Sequence, residues 1–151
     1  MSEEKVKVKV THLTKKFGDL LVLDDISFNV REGEFLCIVG PTGCGKTTFL
    51  NSLTKLYDIT AGEILVNGEP VDLKKHNIAY IFQEYSTFPW LKVEENIRYG
   101  LKLKKLPEDV IRERTDEVIR MVGLEEFRNY YPDQLSASML QRVSIARAFA
   151  V

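Results

Sequence analysis

Cysteine is scarce in this 151-residue chain, which has only Cys37 and Cys44, and there is one tryptophan and two histidines. Two thiols so spaced match neither a zinc-ligand pattern nor a disulfide framework, and they suit a reducing compartment. No apolar run approaches the ~20 residues that cross a bilayer. The opening Met1-Ser2-Glu3-Glu4-Lys5 lacks the apolar stretch of a signal peptide. No sign of charge dominates either, with 21 Lys and Arg against 22 Asp and Glu and a net charge of −1. That balance argues against nucleic acid as a partner, because such domains carry a basic excess. The expectation is a cytosolic protein that meets a membrane only through another subunit. There is no internal repeat, low-complexity tract or linker. The length is that of one domain, able to bury roughly two-thirds of its unfolded surface.

What the chain does have is Gly40-Pro41-Thr42-Gly43-Cys44-Gly45-Lys46-Thr47-Thr48, between apolar Phe35–Val39 and Phe49–Leu53. Strand, glycine-rich turn and helix form the context in which G-x-x-x-x-G-K-[ST] binds phosphate. Glycines let several backbone N–H groups turn inward, and the helix start adds unpaired N–H groups and a positive dipole end. Lys46 would reach the β- and γ-phosphates, and the Thr47 hydroxyl would ligate Mg²⁺. Cys37 reads as a buried apolar residue. Cys44 is either a small residue tolerated in the loop or a thiol sensitised by the helix start. Its alkylation is expected to crowd the loop and block nucleotide.

Around this loop the pattern alternates between periods of two and 3.6. Lys5–Val10 alternates lysine and valine, as an edge-like antiparallel strand guarded by lysines would. Leu21–Leu23 and Ile26–Val30 read as strand segments parted by Asp24-Asp25. Phe35–Val39 and Ile78–Phe82 are continuously apolar, as buried central strands are. Asn67-Gly68 predicts a hairpin turn between Glu63–Val66 and a short return at Val71-Asp72. Helices are predicted at about 45–56, 93–103, from Pro107 to a stop at Gly123, and from Ser138 onward.

Three further segments narrow the nucleotide reading. These are Gln83 after an apolar run, Leu135-Ser136-Ala137-Ser138-Met139-Leu140-Gln141-Arg142, and Val143-Ser144-Ile145-Ala146-Arg147-Ala148-Phe149-Ala150. With the loop, they resemble the nucleotide-binding subunits of ATP-binding-cassette transporters over essentially the whole chain. Phe82-Gln83-Glu84-Tyr85 with Pro89-Trp90-Leu91 looks most like the nitrate, sulfonate and taurine importer branch.

The resemblance implies an α/β fold of the P-loop type. It has a parallel core sheet, an N-terminal antiparallel β subdomain and a helical subdomain at 84–140, all within one incomplete domain spanning 1–151. It implies ATP and Mg²⁺ as cofactors, and ATP binding and hydrolysis coupled to import. Lys46 and Gln83 would be catalytic, with Thr47 and Gln83 at the metal. Gly40, Pro41, Thr42, Gly43, Cys44, Gly45, Lys46, Thr47 and Thr48 would hold the phosphates, and Ser136 and Ser138 would face the nucleotide of a second subunit. Phe17 would stack on adenine, unless it is a core aromatic. Gln83 to Trp90, with Phe88 and Pro89, would receive membrane-spanning subunits, unless those aromatics pack inward. The place would be the cytoplasmic face of the membrane.

Two departures stand against the family pattern. Leu135-Ser136-Ala137-Ser138 replaces Leu-Ser-Gly-Gly, adding side chains where the backbone should approach the γ-phosphate. The family's Asp-Glu strand and switch histidine would follow Val151, so the expectation is a chain cut before them. Phe35–Val39 would then lack a neighbouring strand. A non-catalytic nucleotide-binding remnant is the alternative function. A soluble cassette working on DNA or the ribosome would carry long coiled-coil insertions or paired cassettes, which this chain does not.

Overall fold

The computed structural model describes residues 5–73 and 75–151, and the polar start at 1–4 lies outside them. The chain forms two compact units, divided between Ile78 and Ala79.

The first unit is built on β-branched and apolar alternation. Strands β1 (Val6–Phe17), β2 (Leu20–Arg31), β3 (Ala61–Val66) and β4 (Glu69–Pro70) form an antiparallel sheet in the order β2-β1-β3-β4. β1 is therefore an inner strand, not the expected edge. Its lysine alternation marks a solvated face, and a face carries no information about which strands flank it. Gly18, at φ +57°, turns β1 into β2, with Phe17 opposite Leu20. Asp24-Asp25 does not end a strand as the sequence suggested. It forms an irregularity inside β2, opposite another in β1, with His12 at φ +49° and Asp25 at φ +47°. The His12 ring nitrogen meets the Asp25 carboxylate at 2.6 Å across that step. Asn67 and Gly68, at φ +53° and +80°, make the predicted hairpin turn.

Helix α1 (Lys46–Leu53) lays Phe49 on the sheet, where it joins Val10, Leu13, Leu23, Ile64 and Val66. It stops before the expected residue 56 because Lys55 takes φ +54°. Lys55 N–H then bonds Ser52 O and Leu56 N–H bonds Asn51 O, satisfying carbonyls of the last turn.

The two apolar segments expected as central strands form none. Residues 34–45 and 78–82 carry no strand ladder. Phe35 is 92% exposed and Val39 84%. A central parallel strand needs a ladder on each side, and no described residue supplies one here.

The second unit packs three helices by their 3.6-residue stripes. They are α2 (Val93–Leu103), α3 (Glu108–Met121) and α4 (Ala137–Ala150). Val93, Ile97, Leu101, Ile111, Val118, Ile119, Leu124, Val143 and Ala146 close an apolar core. Each large aliphatic so buried contributes about 1.5–3 kcal/mol. Gly123, at φ +65°, ends α3 as predicted, and Leu124 N–H bonds Ile119 O. Charged pairs lace the rim, with Arg128 joining Glu94 of α2 to Asp116 of α3 and Arg98 joining Glu94 to Glu108. Burial pulls the Arg98 pKa down, but its bonds to Glu108 and Glu94 outweigh that and hold it above the ordinary value.

Candidate functional site

The glycine-rich stretch folds as a tight turn that ends on the first residue of α1. Gly43 and Gly45 sit at φ +83° and +95°, backbone that other residues adopt only with strain. Space requires glycine as well. A Cβ on Gly45 would lie 2.9 Å from Leu23 Cδ2 and 3.1 Å from Val22 O, so the loop is pressed against β2. A Cβ on Gly40 would lie 2.7 Å from Cys44 Sγ. Gly45 caps α1 without a side chain, and the first helical bond is Phe49 N–H to Gly45 O. The N–H groups of residues 46–48 thus precede the helical ladder and face the loop mouth with the positive helix end.

Lys46 completes the concavity. Its ammonium donates to Gly40 O and Pro41 O at 2.7 Å each and stands 3.5 Å from Cys44 Sγ. The charge is therefore held over the loop by the loop's own carbonyls. Phosphate oxygens would exchange those neutral acceptors for stronger charge-assisted ones. Pro41, Thr42, Cys44 and Thr47 are exposed and Thr48 is half-buried. Beside the loop, Leu23, Phe28, Ile38, Val39 and Phe49 line a hollow of about 190 Å³.

Phe17 lies at the hairpin tip of the same unit and is 43% exposed, so it is no core aromatic. Tyr57 meets it edge-on at 5.4 Å, and the Lys15 ammonium lies 4.6 Å from its ring centre. Lys15 also donates to Asp58 O at 2.5 Å. Sequence reasoning missed both neighbours. Lys15 was legible as the same-face residue two before Phe17, but Tyr57 arrives only through the left-handed turn at Lys55.

Gln83, Ser136 and Ser138 belong to the second unit. Gln83 is exposed, in a bend rather than at a strand end. Ser136 is the N-cap of α4, where its Oγ accepts from Met139 N–H at 3.4 Å and lies 3.1 Å from Ser138 Oγ. Ala137 is exposed, so within this chain its methyl crowds nothing. Phe88 is half-buried and Trp90 is 69% exposed, so the segment is neither wholly core nor wholly surface.

The profile of the family described as "ABC transporter" matches residues 23–151, most of the chain. The chain belongs to the ABC transporter family. It is 41% identical over 151 residues to the spermidine/putrescine import ATP-binding protein PotA of Bacteroides thetaiotaomicron, covering 98% of this chain and 33% of that protein. It is 39% identical to the Fe(3+) ions import ATP-binding protein FbpC 1 of Pectobacterium atrosepticum, covering 98% of this chain and 43% of that one. Among solved structures, the ATP-binding cassette MJ0796, in a dimeric post-hydrolysis state bound to ADP and Pi, matches with a TM-score of 0.82. The identity there is 34%, over 95% of this chain and 69% of that one. The chain thus spans a third to somewhat over two-fifths of these curated relatives. Neither names nitrate, sulfonate or taurine, so that narrower branch remains an expectation.

An ABC domain implies nucleotide, and the loop suits its phosphates. Among the described residues, no group of three or more His, Cys, Asp or Glu could hold a metal ion. Thr47, in the first unit, and Gln83, in the second, are each exposed residues, and each carries an oxygen that is a hard donor of the kind Mg²⁺ takes. Mg²⁺ keeps waters and phosphates as its other ligands, so a sparse protein contribution is the usual arrangement. Among the described residues no helix is long and apolar enough to cross a membrane.

Proposed function

We propose that this chain is the ATP-binding portion of a transporter subunit that drives import. The observation carrying this reading is the loop at 40–48. Gly43 and Gly45 lie in left-handed backbone, and Lys46 is folded over the Gly40 and Pro41 carbonyls ahead of α1. In this reading Gly40–Thr48 wrap the phosphates with backbone N–H groups, and Lys46 turns from its carbonyls to the β- and γ-oxygens. Phe17 offers its exposed face to adenine, with Tyr57 steadying the ring at its edge. Mg²⁺, held at the loop by Thr47 with phosphates and water, would supply charge neutralisation at the β- and γ-phosphates, and Gln83 of the second unit is the other residue proposed as a metal donor. Ser136 and Ser138 face the nucleotide of a second copy, and the Gln83–Trp90 segment meets a membrane-spanning subunit. That partner would hold the chain at the cytoplasmic face of the membrane.

Equilibrium binding of MgATP to the purified chain tests the nucleotide reading. Lys46→Ala is expected to weaken binding by at least about tenfold, the loss of one charge-assisted contact set. Unchanged binding in that variant would overturn it. The partner reading has its own test. A photo-crosslinking amino acid in place of Trp90, in membranes of the source cell, is expected to capture an integral membrane protein. Adducts with soluble proteins alone would reject it.

A second reading, nucleotide binding without turnover, is favoured by the Ser136-Ala137-Ser138 departure. Phosphate release above the Lys46→Ala background would sink it.

A further inference from the structure

The only tryptophan of the chain, Trp90, ends a segment that two helices hold in different ways. From α2, buried Asn96 accepts from Phe88 N–H at 2.8 Å. Its amide nitrogen donates to the carbonyls of Phe88, Leu91 and Lys92 at 3.1, 2.8 and 3.1 Å. Those bonds fix the backbone from 88 to 92. From α4, Arg147 donates Nη1–H to Ser86 O and lays its guanidinium 4.5 Å from the centre of the Phe88 ring. Phe88 in turn packs on Tyr99 at 4.6 Å and on Trp90 at 5.6 Å.

Arg147 is an unusual occupant of its place. It lies in the apolar run Ala146-Arg147-Ala148-Phe149-Ala150, and both its partners here, a carbonyl and a ring, are neutral. Burial pushes its pKa down from the ordinary value, partly offset by Tyr99. A half-buried cation with neutral partners loses solvation without a full countercharge. What it gains is geometry, since a flat guanidinium can stack and donate at once, which an ammonium cannot. Arg147 also lies about three turns, roughly 16 Å, along α4 from the Ser136 cap. One rigid helix therefore carries Ser136 at its start and the grip on Phe88 near its end.

We propose that Arg147 is a positioning residue that couples helix α4 to the aromatic segment, setting how Phe88 and Trp90 are presented. Displacement of the Ser136 end of α4 moves Arg147, and Arg147 moves Phe88 with Trp90. The step from presentation to a membrane partner rests on the reading given under Proposed function; the coupling itself does not.

Trp90 is the sole indole, so its fluorescence reads the coupling directly in the whole chain. Arg147→Gln is expected to raise acrylamide quenching and shift the emission to the red, lowering the docked-to-undocked ratio of the segment about fivefold. Arg147→Lys is expected to fall between Gln and wild type. Wild-type quenching and emission in Arg147→Gln would overturn the proposal. A double-mutant cycle of Phe88→Leu with Arg147→Lys, read by the same quenching, guards against a variant that folds poorly. Non-additive effects support the coupling, and strictly additive ones overturn it. A general packing role would lower the unfolding midpoint without ordering the Trp90 signal as Arg, Lys, Gln. The crosslinking test at Trp90 fails or succeeds separately. No membrane adduct with the fluorescence order intact would discard the partner and keep the coupling.

Discussion

Gly40 carries the loop's narrowest tolerance at the residue scale. Its backbone is not left-handed, so an alanine there meets only the Cys44 sulfur. Gly40→Ala is expected to push Cys44 off its rotamer and weaken MgATP binding about threefold to tenfold. Adding Cys44→Ala should recover most of the loss, a non-additivity that titration of the four proteins would show. Gly45 offers no such rescue, because its neighbours include the Val22 carbonyl and its φ is +95°. The motif identified these residues, because its glycines answer a local demand for backbone freedom that sequence records directly. Asn96 and Arg147 were not found that way. Each is a polar residue inside an apolar helical stripe, a signal that says only that something must pair with it.

Element by element, the sequence served best where one periodicity acted alone. Helix α2 was legible to its ends, and α3 to its glycine stop, because capping and a single stripe agree there. Helix α1 was overread by three residues, since nothing in Lys55-Leu56 announces a left-handed lysine. β1 was misplaced as an edge because pleat alternation describes faces, whereas neighbours are chosen by distant β3. The segment between Gln83 and α2 depends on one element contact above all, the four bonds of Asn96. Asn96→Ala is expected to lower unfolding free energy by about 1–3 kcal/mol, because buried backbone groups lose their partner. Asn96→Asp should cost more, since a carboxylate would face three carbonyls. Urea unfolding of the three proteins checks the order.

For the whole molecule, the presence of an antiparallel sheet and of the main helices was legible in the sequence, and the parallel layer did not form. The reason is physical. Phe35–Val39 and Ile78–Phe82 hold the composition of buried strands, yet composition cannot create the ladders that such strands require. Phe35 and Val39 stand in solvent instead. The consequence belongs to colloid behaviour. A short apolar segment with unladdered backbone groups is a template for intermolecular pairing. Light scattering of the purified chain should rise steeply with concentration. Val39→Lys, placing a charge inside the segment, should lift the onset to higher concentration while leaving helical circular dichroism unchanged. A peptide spanning residues 34–40 should seed the same process. If these seven residues next to the phosphate loop govern solubility, MgATP, by binding that loop, is expected to act as a solubiliser as well as a ligand.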